Sequence, residues 1–153
     1  MLTFRKHMNR WSVCHVNGQS MEPSLKDGDL LLISRSPVAR LHRGAVVIVS
    51  SPEAEGGAQV KRMIGLPGDT VALEDGSLLI NDEPLHEPYL GGLPQTLGLG
   101  SRRWTIGDGE CFVLGDNRAH STDSREYGPV PLSAILGVVK VRLWPMFRRR
   151  LSA

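Results

Sequence analysis

A mostly β fold is predicted by three features of the sequence. Gly (17) and Pro (10) recur as punctuation along the 153 residues. The runs between them are short and rich in β-branched side chains, and none sustains helical periodicity over three turns. The third feature is EDGS at 74–77, where Asp-Gly favours the tight turn of a two-residue hairpin.

The expected strands follow in order. DLLLISR (29–35) and AVVIVSS (45–51) are apolar runs bounded by turn residues. QVKRMIG (59–65) alternates around an internal lysine. TVALEDG (70–76) and SLLIND (77–82) form the two arms of the hairpin, and ECFVLG (110–115) and ILGVVKVRLW (135–144) complete the set. PLSAIL (131–136) suits one short helical turn. Residues 86–109 read as Gly-rich loop and, with the hairpin before them, as an insertion between two halves of a core sheet.

Composition excludes several function classes. Hydrophobic content of 41% and charged content of 22% are those of an ordinary globular chain. The net charge is +2, with positive clusters at both termini (RKHMNR and Arg148 to Arg150) that read as solvated tails. No aromatic residues interleave with basic ones, so nucleic-acid binding is not expected. Cys14 and Cys111 allow one disulfide or none and belong to no C-x-x-C pair. The five histidines form no metal-binding pattern, so neither metal nor cofactor is expected. The longest apolar runs, LLLI (30–33) and AVVIV (45–49), are far shorter than the ~18–20 residues of a spanning helix. The chain as written is therefore expected to be soluble or to lie on a membrane surface.

Chemistry enters with GQSMEPSLKDGD (18–29), which opens the first expected strand. Taken alone, Ser20 is an ordinary turn serine. As a nucleophile it would need a base or a lowered pKa. His120 with Asp123 would make one partner set. Lys61 is the other, because a lysine within a strand either snorkels at an edge or is buried. A buried ammonium loses hydration and its pKa falls; reaching neutrality takes roughly three pH units, or ~4 kcal/mol at ~1.36 kcal/mol each. A nearby Arg62 cation would add to that fall. The third polar segment, CFVLGDNRAHSTDSREYGPVP (111–131), runs from a strand into a turn crowded with charged groups.

SMEPSL (20–25), KRMIGLPGD (61–69) and GDNRAHSTDSREYG (115–128), in this order, resemble the bacterial type I signal peptidases. RGAVVIV (43–49), VALEDGSLLINDEPLHEPYL (71–90) and ILGVVKVRLWP (135–145) extend the similarity from about Val16 to Pro145, with Ala45 standing where the family carries an acidic residue.

The resemblance implies a serine endopeptidase with Ser20 as nucleophile and Lys61 as general base. It implies that Ser121 orients the lysine amine, that Asp123 and Arg125 form an ion pair shaping the loop, and that Met21 and Pro23 lie at the substrate. The family often places a second oxyanion-stabilising hydroxyl two residues before the nucleophile, where this chain has Gly18. The implied fold is a coiled antiparallel core over 16–71 and 110–145 with a small β insertion over 72–109. A basic segment (1–15) precedes the core and a basic tail (146–153) follows it. The implied substrates are signal peptides of exported pre-proteins, bound by strand addition and cut after small residues at an A-x-A site.

Family members typically place a membrane helix before the catalytic serine and work at the outer membrane surface. Only 19 residues precede Ser20 here. The alternatives are a truncated start, an enzyme resting on the membrane through apolar surface, or a cytoplasmic maturation protease of the nickel-superoxide-dismutase type. A LexA-like repressor would need a DNA-binding domain before the serine, and a non-catalytic β binding module would leave the three motifs unexplained.

Overall fold

The computed structural model describes residues 10–35, 41–51, 57–95 and 100–144. The expected basic tail over 146–153 lies outside them, as do residues 1–9 of the expected basic N-terminal segment.

Eleven strands form two antiparallel sheets among these residues. They are β1 (Trp11–His15), β2 (Leu30–Ser34), β3 (Val46–Ser50), β4 (Ala58–Gly65), β5 (Thr70–Glu74), β6 (Ser77–Ile80), β7 (Glu83–Pro84), β8 (Arg102–Thr105), β9 (Glu110–Leu114), β10 (Val130–Pro131) and β11 (Ile135–Trp144). The larger sheet runs β1-β2-β11-β3-β4-β9-β10, and the smaller runs β7-β6-β5-β8.

All seven expected strands are present. The Asp75-Gly76 hairpin forms as expected: both residues have positive φ (49° and 82°), as a type I′ turn requires, and Glu74 pairs with Ser77. The expected short helical turn is the 3-10 turn Leu132–Ala134.

The structure adds four strands to the seven expected, of which β7 and β10 are only two residues long. WSVCH forms β1, which among the described residues is an edge strand paired with β2. RRWT, inside the segment read as loop, forms β8, an edge of the small sheet. Both edges carry polar or charged residues that blur the alternation. Arg103 of β8, for instance, is paired with Glu74 and Asp82.

Three apolar clusters hold the sheets. Cys14, Leu31, Ile33, Ile48 and Val60 meet Val16, Met21 and Leu25 of the Ser20 segment on one face of the large sheet. Val47, Val49, Met63, Cys111, Val113 and Val138 pack on the other. Ile64, Phe112 and Leu114 join Val71, Leu73, Leu78 and Ile80 of the small sheet. Each fully buried large aliphatic residue is worth about 1.5–3 kcal/mol. Cys14 and Cys111 lie in different clusters and both thiols are free, which removes the disulfide option.

Between β4 and β5 the chain turns at LPGD. Asp69 N donates to Leu66 O (3.0 Å), and Gly68 has a φ of +84°. Pro then Gly at the two central positions is the type II turn preference. Asp69 closes the turn by accepting from Leu66 N at 2.6 Å and pairing with Arg43 at 3.1 Å.

Candidate active site

Ser20 sits in the loop between β1 and β2. Two features close that loop: Val16 N donates to Asp29 O (2.8 Å), and Gly18 N donates to Asp27 Oδ1 (2.7 Å). Gly18 has a φ of +93°, a conformation that side chains strain to adopt. Met21 is 1% exposed and built into the core, so it anchors the turn, and Leu25 N closes back on Met21 O at 2.9 Å. The Glu22–Pro23 peptide is cis.

Lys61 projects from β4. Its register partner is Val47, which places it on the face of Met63, Val113 and Val138. At 2% exposure it is buried rather than snorkelling at an edge. Burial pushes its ammonium down from the usual 10.5 to about 8; the Asp123 carboxylate opposes the shift, the Arg125 cation adds to it, and Glu126 and Asp116 oppose it.

The expectation that Arg62 contributes to this shift is corrected. Arg62, next along the strand, points to the other face and is neutralised by Asp116, with Nε to Oδ1 at 2.8 Å and Nη2 to Oδ2 at 2.7 Å. A third bond goes to Gly44 O, and the Tyr89 ring lies 3.8 Å from the guanidinium carbon.

The segment 115–128 brings the parts together. Lys61 Nζ donates to Ser121 Oγ at 2.8 Å. Gly115 is the point of closest approach: a Cβ built there would lie 2.2 Å from Ser121 Oγ and 2.5 Å from Ser20 O. Ser121, which holds the Lys61 amine, and the Ser20 carbonyl therefore meet at one glycine. Asn117 ties the Ser20 turn to this segment by donating from N to Ser20 O (3.0 Å) and from Nδ2 to Gln19 O (3.1 Å).

The loop is braced from within. Asp123 caps the short helix α1 (Ser124–Tyr127) and accepts Gly115 N at 2.9 Å. Arg125 pairs with both oxygens of Asp123 (2.8 and 2.9 Å) and donates to the carbonyls of Arg118 (2.8 Å) and Ser121 (3.1 Å). Asp123 and Arg125 are both buried, so each charge needs the other.

A second buried pair, Glu87 with Arg118, was not singled out by sequence reasoning. Arg118 Nη2 meets Glu87 Oε1 at 2.5 Å and Nη1 meets Oε2 at 3.0 Å, while Arg118 Nε holds Gly115 O at 2.9 Å. Glu87 stands 31 positions away in a segment read as loop, and no local pattern announces the pair.

His120 is exposed, and its Nδ1 lies 3.2 Å from Asn117 Oδ1. The carboxylate of Asp123 is committed to Arg125, Gly115 N and Arg125 N, so no Ser-His-Asp chain is assembled here. Among the described residues no cluster of potential ligands could hold a metal ion, and no helix is long and apolar enough to cross a membrane.

A curled antiparallel sheet carrying a buried lysine bonded to a serine hydroxyl is an arrangement suited to a serine peptidase. Comparison with known proteins agrees. The family described as signal peptidase, peptidase S26, matches residues 2–144. Signal peptidase I of Bacillus caldolyticus is 35% identical over 143 residues, covering 85% of this chain and 78% of that protein. Signal peptidase I of Streptococcus pneumoniae is 33% identical over 177 residues, covering 90% and 84%. The crystal structure of a signal peptidase I from Enterococcus faecalis superposes with a TM-score of 0.56 at 32% identity, covering 67% of this chain and 98% of that one. The chain belongs to the signal peptidase family and is a signal peptidase I-like serine endopeptidase.

Proposed function

We propose that the protein removes signal peptides from exported pre-proteins by a Ser20/Lys61 dyad, cutting after small residues at A-x-A sites. One observation carries the proposal: Lys61 is buried, lowered to about 8, and bonded to Ser121 beside the glycine that touches the Ser20 carbonyl. Neutral Lys61 takes the Ser20 proton as Oγ bonds to the scissile carbonyl carbon. The ammonium so formed returns that proton to the leaving amine as the C–N bond breaks, leaving an acyl-Ser20 ester. Lys61 then takes a proton from water, whose oxygen attacks the ester carbon; the carbon–Oγ bond breaks, the new carboxylate leaves, and the Lys61 ammonium returns its proton to Ser20 Oγ. Ser121 holds the amine in place, and Asp123 with Arg125 holds Ser121.

The sheet supports binding by strand addition. β9 pairs with β4 only from Arg62 onward, whereas β3 pairs along Ala58 to Arg62. Among the described residues, Ala58 to Lys61 therefore has one edge without a strand, leading directly to the lysine. An extended peptide on that edge would gain main-chain hydrogen bonds, and alternate side chains would enter apolar surroundings near Met21 and Pro23.

A membrane surface, on the extracytoplasmic side, is the proposed setting. Trp11 pairs with Ser34, Ser34 with Val138, Val138 with Val47, and Val47 with Lys61, a single cross-strand row. Directly paired residues share a face, so the exposed Trp11, Val13 and Val141 lie on the face that carries Lys61.

The test is cleavage of a precursor peptide whose leader ends in A-x-A, with wild type, Ser20→Ala and Lys61→Ala assayed with and without phospholipid vesicles. Cleavage after the small residue, abolished in both variants and raised by vesicles, is expected. Activity retained in Lys61→Ala but lost in His120→Ala would replace the dyad by a triad.

A further inference from the structure

We infer that Asn117 is the positioning residue that aims the Ser20 backbone N–H at the carbonyl oxygen of the bond being cut. The inference rests on Ser20 being the nucleophile. Asn117 grips the chain on both sides of that serine: its side-chain Nδ2 holds Gln19 O at 3.1 Å and its backbone N holds Ser20 O at 3.0 Å. A second donor, Glu22 N, reaches Gln19 O at 3.1 Å. The Gln19–Ser20 peptide unit is planar and trans, so its N–H points away from its C=O. With the carbonyl tied to Asn117, the N–H is turned to the opposite side. Among the described residues it donates to no backbone group.

The mount itself is stiff. Asp116 on one side of Asn117 is locked to Arg62, and Arg118 on the other is locked to Glu87 and to Gly115 O. The amide end facing Gln19 is also selected. Asn117 Oδ1 lies 3.2 Å from His120 Nδ1 and has no proton to give, so the pair is Nδ1–H to Oδ1, leaving Nδ2 for Gln19 O. His120 thereby acquires a role that needs no proton transfer with Ser20. Aim matters more in this chain than in one with a hydroxyl at position 18, because Gly18 offers no side-chain donor and the Ser20 N–H is the donor that the nucleophile turn supplies.

Steady-state cleavage of an A-x-A peptide by the full chain tests this. Asn117→Ala, and Asn117→Asp as an isosteric variant that keeps the backbone donor, are expected to lose about 10- to 100-fold in kcat with KM within about twofold. A peptide aldehyde, whose hemiacetal with Ser20 places an oxygen where the oxyanion forms, should lose affinity by the same factor as kcat/KM. The uncleaved product peptide should bind as before. His120→Ala should cost about two- to fivefold. A wild-type kcat in both Asn117 variants overturns the inference, and so does equal weakening of aldehyde and product peptide, which is the mark of a merely structural role. Ser20→Ala and Lys61→Ala run alongside: activity surviving in either sinks the dyad reading, whereas their inactivity beside fully active Asn117 variants sinks this inference alone.

Discussion

The Lys61 ammonium and the Ser121 hydroxyl meet at 2.8 Å across 60 positions of chain. The contact matters because only a neutral amine can accept a proton, and Lys61 is neutral above about 8. Below that pH the active fraction falls tenfold per unit. The expected kcat/KM profile rises with unit slope from about pH 6, bends near pH 8 and is level above about pH 9. Ser121→Ala frees the amine to rotate away and should reduce kcat about 100-fold, the usual cost of losing orientation at a reacting centre. A flat profile between pH 6 and 8 would remove Lys61 as the base.

The lowered Lys61 pKa is also a cost to the fold. The unfolded chain keeps the lysine proton up to about 10.5 and the folded chain only to about 8. Between those values the unfolded state binds more protons, so stability rises with pH; below 8 the full penalty stands. At ~1.36 kcal/mol per pH unit it amounts to about 3 kcal/mol. Lys61→Met should therefore unfold at higher denaturant than wild type at pH 7, by up to about 3 kcal/mol, with no activity, and the difference should shrink toward pH 10. A less stable Lys61→Met at pH 7 would show that the buried ammonium is not strained.

The strands of the core were legible because apolar alternation and Gly/Pro punctuation agree there: LLLIS, VVIVS and SLLI sit where their patterns place them. WSVCH was not, because its exposed residues include Trp11 and Val13 and mask the alternation of an edge strand. Ser20, Lys61 and Ser121 were legible as motifs, but the approach of Ser121 and the Ser20 carbonyl at Gly115 depends on contacts between distant parts of the chain. The direction in which Arg62 points follows from strand alternation alone. That Arg125 rather than Arg62 is the cation lowering Lys61 follows only from how the 115–128 segment folds back. Glu87 was invisible for the same reason: a lone carboxylate in a loop carries no sign of the arginine it will meet.

Asp123 sits between two opposed effects on Lys61. Its carboxylate raises the lysine pKa, and its partner Arg125 lowers it. Asp123→Asn deletes the charge and leaves one oxygen where the cap and Gly115 N now use two. Burial and the Arg125 cation, which lower the lysine, are then opposed only by the smaller effects of Glu126 and Asp116, and the inflection of the pH–activity profile should move below 8. Leaving Arg125 buried without its partner should cost about 3–5 kcal/mol of stability. An inflection that moves upward instead would mean the loop had reorganised around Arg125.

Gly115 leaves no room for a side chain. A methyl group there would overlap the Ser121 hydroxyl at 2.2 Å and the Ser20 carbonyl at 2.5 Å, and Ser121 is tied through its own carbonyl to Arg125. Something in the site has to move. Gly115→Ala should therefore lose at least about 100-fold in kcat while keeping its far-UV circular dichroism, since the clash is local. Wild-type kcat would show that the Ser20 turn adjusts freely, contrary to its double attachment at Asn117.

Trp144 is 66% exposed and Trp11 47%, on strands that flank β2 in the large sheet. The register pairs Trp144 with Leu30 and Trp11 with Ser34, on alternate positions of β2, so both rings stand on one face with Val13 and Val141. Exposed tryptophans on the face that carries the candidate base would carry the chain onto a lipid surface with the site turned toward it. Burying the exposed part of each ring is worth about 1–2 kcal/mol, or about tenfold in partitioning. The double variant Trp11→Ser, Trp144→Ser should thus bind phosphatidylcholine–phosphatidylserine vesicles about 10- to 100-fold more weakly in co-flotation. Its cleavage of a short soluble A-x-A peptide without lipid should stay near wild type. Undiminished flotation would place the membrane-binding surface elsewhere on the molecule, while parallel loss of soluble-peptide cleavage would show that these side chains act through the fold rather than through lipid.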